Sequence, residues 1–157
     1  MDPRAEELGR RLTAKKALLA VAESCTGGLV AKRVTDVAGS SGWFERGLVV
    51  YSNQAKQDLL GISADLLAQF GAVSRECAEA MARGLLVMTP AHWAVAITGI
   101  AGPGGGSPEK PVGLVWLAWA QRGGGVESEV LQLSGSRAEI RAAAAEAALA
   151  GLLKRLG

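Results

Sequence analysis

The segment Ala17-Leu18-Leu19-Ala20-Val21-Ala22-Glu23-Ser24-Cys25-Thr26-Gly27-Gly28 decides the fold. Its first half, Ala17 to Ala22, is an unbroken apolar run and reads as a strand. Its second half turns the chain into a helix that reaches about Thr35. Upstream, Asp2 to Lys16 reads as a helix, with Leu8 and Leu12 at helical spacing and charges between them. Downstream, Gly39-Ser40-Ser41-Gly42 breaks the second helix, and Leu48 to Tyr51 forms the next strand. Helical segments follow at Gln54 to Leu60 and Ala64 to Phe70. A longer helix opens at Ser74, an N-cap type with Glu76 in the first turn, and runs to about Met88.

Trp93 to Thr98 is an apolar, β-branched run and reads as a third strand. Gly99 to Pro111 is crowded with glycines and with Pro103, Pro108 and Pro111, which forbids regular structure there. Leu114 to Ala120 and Val126 to Leu133 are joined by Gln121-Arg122-Gly123-Gly124-Gly125, a hairpin-length connection, so the last strands should run antiparallel. Ser136-Arg137-Ala138-Glu139 is a capping box that opens an alanine-rich helix. The pattern predicts an α/β fold: one domain over 1–157, in three α/β/α layers, with a mixed five-stranded sheet.

Composition narrows the function classes. A chain of 157 residues can bury about 70% of its unfolded surface and needs no disulfide or metal to stand. Apolar residues are 49% and aromatics 4%, so Ala, Leu and Val must build the core. Lys plus Arg number 17 against 15 for Asp plus Glu, and they are scattered rather than striped, which argues against nucleic acid as a partner. The first residues, Met1 to Leu12, have no signal-peptide h-region, and no apolar run reaches membrane-spanning length. No membrane partner and a cytoplasmic location are expected. Cys25 and Cys77 lie far apart, which suggests neither a disulfide framework nor a thiolate cage.

His92 is the only histidine, at the entrance of the third strand, where a structural role is commoner than a catalytic one. No ligand spacing joins it to Cys25 or Cys77, so no metal site is expected. A hydrolase built on this chain would use a lysine or carboxylate base. One nucleophile candidate is the glycine-flanked pair Ser40 and Ser41, whose loop N–H groups could form an oxyanion nest. Tyr51, the only tyrosine, and Lys56 follow, and both can face a crevice at the C-terminal ends of the strands. A lysine desolvated there would lose basicity and could accept a serine proton. On spacing alone, the simpler reading has Gly39 to Gly42 as an ordinary turn, Tyr51 as an ordinary strand residue and Lys56 as a solvated charge. Ser24, at a strand end leading into a helix, is a second candidate, suited to binding an anion or polarised carbonyl; N-cap chemistry from Ser24 or Thr26 is the alternative. Cys25 has no visible basic partner and reads as a small buried hydrophobe.

Thr98-Gly99-Ile100-Ala101-Gly102-Pro103-Gly104 mimics a dinucleotide loop, but the helix such a loop must feed is missing. Close backbone approach to a ligand is a better use of Gly99 and Gly102. Arg137, in the first turn of the last helix, is unfavourable for that dipole end and is either solvated or turned to a ligand anion.

At these residues the chain resembles the CinA C-terminal domain family, the nicotinamide mononucleotide deamidases. The motifs that carry the resemblance are AESCTGG at 22–28, AGSSGWFERG at 38–47, VYSNQAK at 50–56, GAVS at 71–74, TGIAGPGGGSPEKPVG at 98–113 and SGSR at 134–137. The resemblance implies hydrolysis of the carboxamide of nicotinamide mononucleotide to nicotinate mononucleotide and ammonia, in pyridine-nucleotide recycling, without a cofactor. It implies Ser41 as nucleophile with Tyr51 and Lys56 completing the set. It associates Thr98 and Arg137 with the same site; from their own positions in the chain, Ser24, Thr26, Gly27, Gly99 and Gly102 are expected to bind substrate. The family includes chains fused to a molybdopterin-binding-like domain, and this sequence is similar to the stand-alone form. A homo-oligomer is expected. Two rivals remain. One is a catalytically silent nucleotide-binding module. The other is a short-chain-dehydrogenase-like oxidoreductase, disfavoured by the spacing of Tyr51 and Lys56 and by a glycine loop that follows them.

Overall fold

Alternation along the central strands sorts large from small side chains, and this sets the layers. Leu19 and Val21, Trp93, Val95 and Ile97, and Val115, Leu117 and Trp119 all point to one side, where they form the larger core cluster. Ala20, Ala22, Ala94, Ala96, Ala118 and Ala120 point to the other. The computed structural model describes all residues, Met1–Gly157. Its strands are β1 (Leu19–Glu23), β2 (Phe44–Val49), β3 (Trp93–Gly99), β4 (Leu114–Gln121) and β5 (Val126–Gln132). They form one sheet in the order β2-β1-β3-β4-β5. β1 is parallel to β2 and β3, and β3, β4 and β5 are successively antiparallel. The mixed five-stranded sheet is the one the sequence predicts.

Six helices cover it: α1 (Pro3–Lys15), α2 (Leu29–Thr35), α3 (Asn53–Leu60), α4 (Ala64–Phe70), α5 (Arg75–Met88) and α6 (Arg137–Leu156). Leu8 and Leu12 of α1, Val30 and Val34 of α2 and the Ala144–Leu152 stretch of α6 pack on the large-residue face. The alanine face receives Cys77, Ala78, Met81, Ala82 and Leu85 of α5, with Leu60 and Leu67 from α3 and α4 outside. Alanine in the sheet lets α5 lie close to it, since at these positions the strands contribute nothing longer than a methyl group and the space is filled from the helix side. None of the helices is long and apolar enough to cross a membrane.

One strand differs from the sequence reading. β2 starts at Phe44 rather than Leu48 and ends at Val49, which leaves Tyr51 in the turn beyond it. β2 is an edge strand with β1 as its only neighbour. An edge tolerates charge facing water, so Glu45 and Arg46 sit in the strand and disguise it.

The chain leaves β1 toward β2 on one side and later returns to β3 on the other side. The C-terminal ends of β1 and β3 therefore diverge into a crevice, the usual ligand position in an open α/β sheet.

Candidate active site

Ser24 is the first residue beyond β1, and its place is fixed from three directions. Its own N–H donates to the Ile97 carbonyl at 3.0 Å, and its carbonyl accepts from Gly27 N–H at 3.1 Å. Glu23, whose side chain is buried, accepts the N–H groups of Val30 and Ala31 with its two carboxylate oxygens, both at 2.9 Å. Gly28 caps α2 without a side chain, so Glu23 supplies from the strand end the acceptors that helix lacks. Arg141 of α6 donates to the carbonyls of Cys25 and Thr26, each at 3.1 Å.

Lys56 reaches this turn from α3, whose N-cap is Ser52. Its side chain is 1% exposed. Nζ lies 3.0 Å from the Val50 carbonyl, 3.3 Å from the Tyr51 carbonyl and 3.3 Å from Ser24 Oγ. No carboxylate pairs with it. Burial penalises the ammonium form and holds the amine below the ordinary lysine range. A neutral amine has two N–H donors and one lone pair. In that form its donors would satisfy the Val50 and Tyr51 carbonyls and its lone pair would face the Ser24 hydroxyl.

Ser24 and Lys56 open onto a cleft of about 270 Å³ at the C-terminal ends of β1 and β3. Tyr51, Asn53, Thr98, Arg137 and the backbone from Gly99 to Gly105 complete its wall. Thr98 Oγ1 donates to the Ala72 carbonyl at 2.8 Å, which ties β3 to the segment before α5. Arg137 donates to the Gly102 carbonyl at 2.8 Å and to the Tyr51 phenol oxygen at 3.1 Å. Gly99 and Gly102 let that backbone close in, since a Cβ at either would strike Val115 or Val112. The lining holds no carboxylate and no imidazole. Arginine stays protonated at any physiological pH, so Lys56 is the one nitrogen base in the lining.

Cys25 also lines the cleft, but burial pushes its thiol up to about 11, which keeps it protonated and a poor nucleophile beside Ser24. A larger groove of about 550 Å³ lies between α5 and the β4–β5 hairpin. Its Arg122 is spent on the carbonyls of Leu86, Thr89 and Ala91, and it contains no nucleophile or base.

The structure brings Ser24, Tyr51, Lys56, Thr98, Gly99, Gly102 and Arg137 to one cleft. It does not bring Ser41 there. Ser41 is exposed, in a single 3-10 turn (Ser40–Gly42) that precedes β2, beside the start of β1. At about 3.3 Å per residue, β2 sets roughly 16 Å between that turn and the Tyr51 end. The serine placed against Lys56 is Ser24. Tyr51 meets Lys56 only through its carbonyl, while its phenol turns to Arg137. Thr26 is fully buried behind the turn with no partner for its hydroxyl, and Gly27 lies on the outer side with φ +60°. His92 sits at the opposite end of the sheet, where Nδ1 accepts the Leu18 N–H at 2.9 Å. Sequence reasoning missed Asn53 and Arg141. Asn53 stands one helical turn before Lys56, a spacing that could have revealed it; nothing local marks Arg141.

The CinA C-terminal domain family matches residues 1–156. The chain belongs to the CinA C-terminal domain family. Within it, the nicotinamide-nucleotide amidohydrolase PncC of Pseudomonas putida is 50% identical over 157 residues, with 98% of each chain covered. The protein of the same name from Escherichia coli K12 is 52% identical, over 92% of this chain and 87% of that one. A CinA-like protein of Akkermansia muciniphila is 54% identical over 85% of this chain, which spans only 32% of that longer protein. Among solved structures, the competence/damage inducible protein CihA of Agrobacterium tumefaciens superposes with a TM-score of 0.92 at 48% identity, over 98% of this chain and 96% of that one.

Proposed function

We propose that the chain hydrolyses the carboxamide of nicotinamide mononucleotide to nicotinate mononucleotide and ammonia, with Ser24 as nucleophile and Lys56 as base. The observation that carries the mechanism is the buried Lys56 amine 3.3 Å from Ser24 Oγ at the floor of the cleft. The substrate is supported by the relatives named nicotinamide-nucleotide amidohydrolase at about half identity over nearly the whole chain.

The neutral Lys56 amine takes the Ser24 proton as Oγ attacks the carboxamide carbon. The lysine then hands that proton to the departing nitrogen, ammonia leaves, and an ester on Ser24 remains. Water, deprotonated by Lys56, attacks the ester, the proton returns to Oγ as the carboxylic acid is released, and the acid ionises by passing its proton to the ammonia. Both half-reactions use the same amine and balance without a co-reactant other than water. Tyr51 is then not a proton relay. Its exposed ring offers an aromatic face to the cationic pyridinium of the substrate, and Arg137 offers its charge to the phosphate. This chemistry belongs to the recycling of pyridine nucleotides.

Purified protein incubated with nicotinamide mononucleotide should release ammonia. Ser24→Ala should lower kcat at least about 10³-fold, the scale of a lost nucleophile, while Ser41→Ala stays within about 3-fold of the parent. The reverse pattern would return the nucleophile to Ser41. Nucleotide binding without ammonia from the parent chain would leave a silent binding module.

A further inference from the structure

Arg141 is half-buried in α6 and has no carboxylate partner. An arginine without a counter-ion at a packed interface needs another reason to be there, because its desolvation is otherwise uncompensated. Its Nε and one terminal nitrogen form a fork onto two consecutive main-chain carbonyls, those of Cys25 and Thr26. The Cys25 carbonyl has no other donor in the chain. Gly27 makes the room, since a Cβ at that position would stand 3.0 Å from the guanidinium. In a trans peptide the N–H points opposite to the C=O, so the fork also orients the Thr26 N–H away from α6. The charge is felt at the residue next to Ser24: Arg141 opposes the rise that burial imposes on the Cys25 thiol.

We infer that Arg141 is a positioning residue for Ser24: its fork holds the Cys25–Thr26 carbonyls so that the turn presents Oγ to Lys56 Nζ. This rests on the reading of Ser24 as nucleophile. Arg141 acts through the turn, so its loss should slow the chemical step and leave substrate affinity in place. A misplacement of the nucleophile by about 1 Å costs on the order of 10²-fold in rate.

The experiment measures ammonia release from nicotinamide mononucleotide by the full chain and its Ser24→Ala, Arg141→Met and Arg141→Lys variants, each well below its melting temperature. Arg141→Met should lower kcat about 30- to 100-fold with KM within about 3-fold. Arg141→Lys, which keeps one donor and the charge, should recover about 10-fold of that loss. A kcat for Arg141→Met within about 2-fold of the parent would overturn the inference, as would a loss carried by KM instead. Should Arg141→Met not fold, Arg141→Lys decides alone: a kcat lowered at least about 3-fold at constant KM supports the role, and an unchanged kcat ends it. A Ser24→Ala variant that remains active would instead overturn the nucleophile, which separates failure of the premise from failure of the inference.

Discussion

Lys56 has the properties that a base and a buried charge share, and they can be separated by pH. Its folded basicity lies below the ordinary lysine value of about 10.4. The unfolded chain therefore binds more protons than the folded one between those two values, and stability contributed through this group rises with pH there. Relative to Lys56→Met, the parent should gain melting temperature as pH is raised from 7 toward 10; a constant difference would mean the amine is not desolvated. The kcat of the parent should climb over the same interval. Lys56→Arg should be silent at every pH, because a guanidinium cannot be deprotonated in water. That such a lysine exists was readable from its motif, but its partner was not. Ser24 and Lys56 are 32 residues apart, and only the parallel register of β1 and β2 brings them together. Ser41 drew the nucleophile reading because it sits in a glycine-flanked turn, whereas Ser24 stands between Glu23 and Cys25. What distinguishes them is which end of the strand each occupies, and the charged start of β2 hid that end.

Among the elements, α6 was the most legible and is also the most tightly constrained. Its capping box is present as read, with Ser136 Oγ accepting from Glu139 N–H and Glu139 accepting from Ser136 N–H. Its packing was not readable, because it depends on elements distant in the chain, among them β4 through Trp119. The Trp119 ring lies against Gly151 so closely that a Cβ there would overlap it, and its Nε1 donates to the Ala148 carbonyl at 3.0 Å. Arg155 stacks on the outer face of the same ring, 3.9 Å from its centre. Gly151→Ala should therefore cost about 1–3 kcal/mol of unfolding free energy in a denaturant titration. The ordinary helix-propensity gain of alanine over glycine, about 1 kcal/mol, has the opposite sign, so a stabilised variant would show that the ring can yield.

At the scale of the molecule, the two sides of one sheet were built to different rules. Ala22, Ala96 and Ala118 are register partners across β1, β3 and β4, as are Ala20, Ala94 and Ala120. Placing a leucine at Ala96, which is fully buried under α5, should cost about 1–3 kcal/mol and be seen as a lower denaturation midpoint. Sequence periodicity showed these runs to be strands and could not show that their alanines share a face, since that requires the register of neighbours that are distant in the chain.

A helix resting on two rows of methyl groups meets a smooth floor, with no sockets to stop it from sliding. Its position along the sheet must then be held by polar bonds, by Ser128 of β5 donating to Glu79 within the helix and by others toward its ends. Thr98 fastens the segment before α5 through the Ala72 carbonyl, and Arg122 grips the Leu86 carbonyl in its last turn and those of Thr89 and Ala91 beyond it. Thr98 and Ala72 are themselves walls of the cleft, so the bolt at the front of the slide is also part of the substrate's seat.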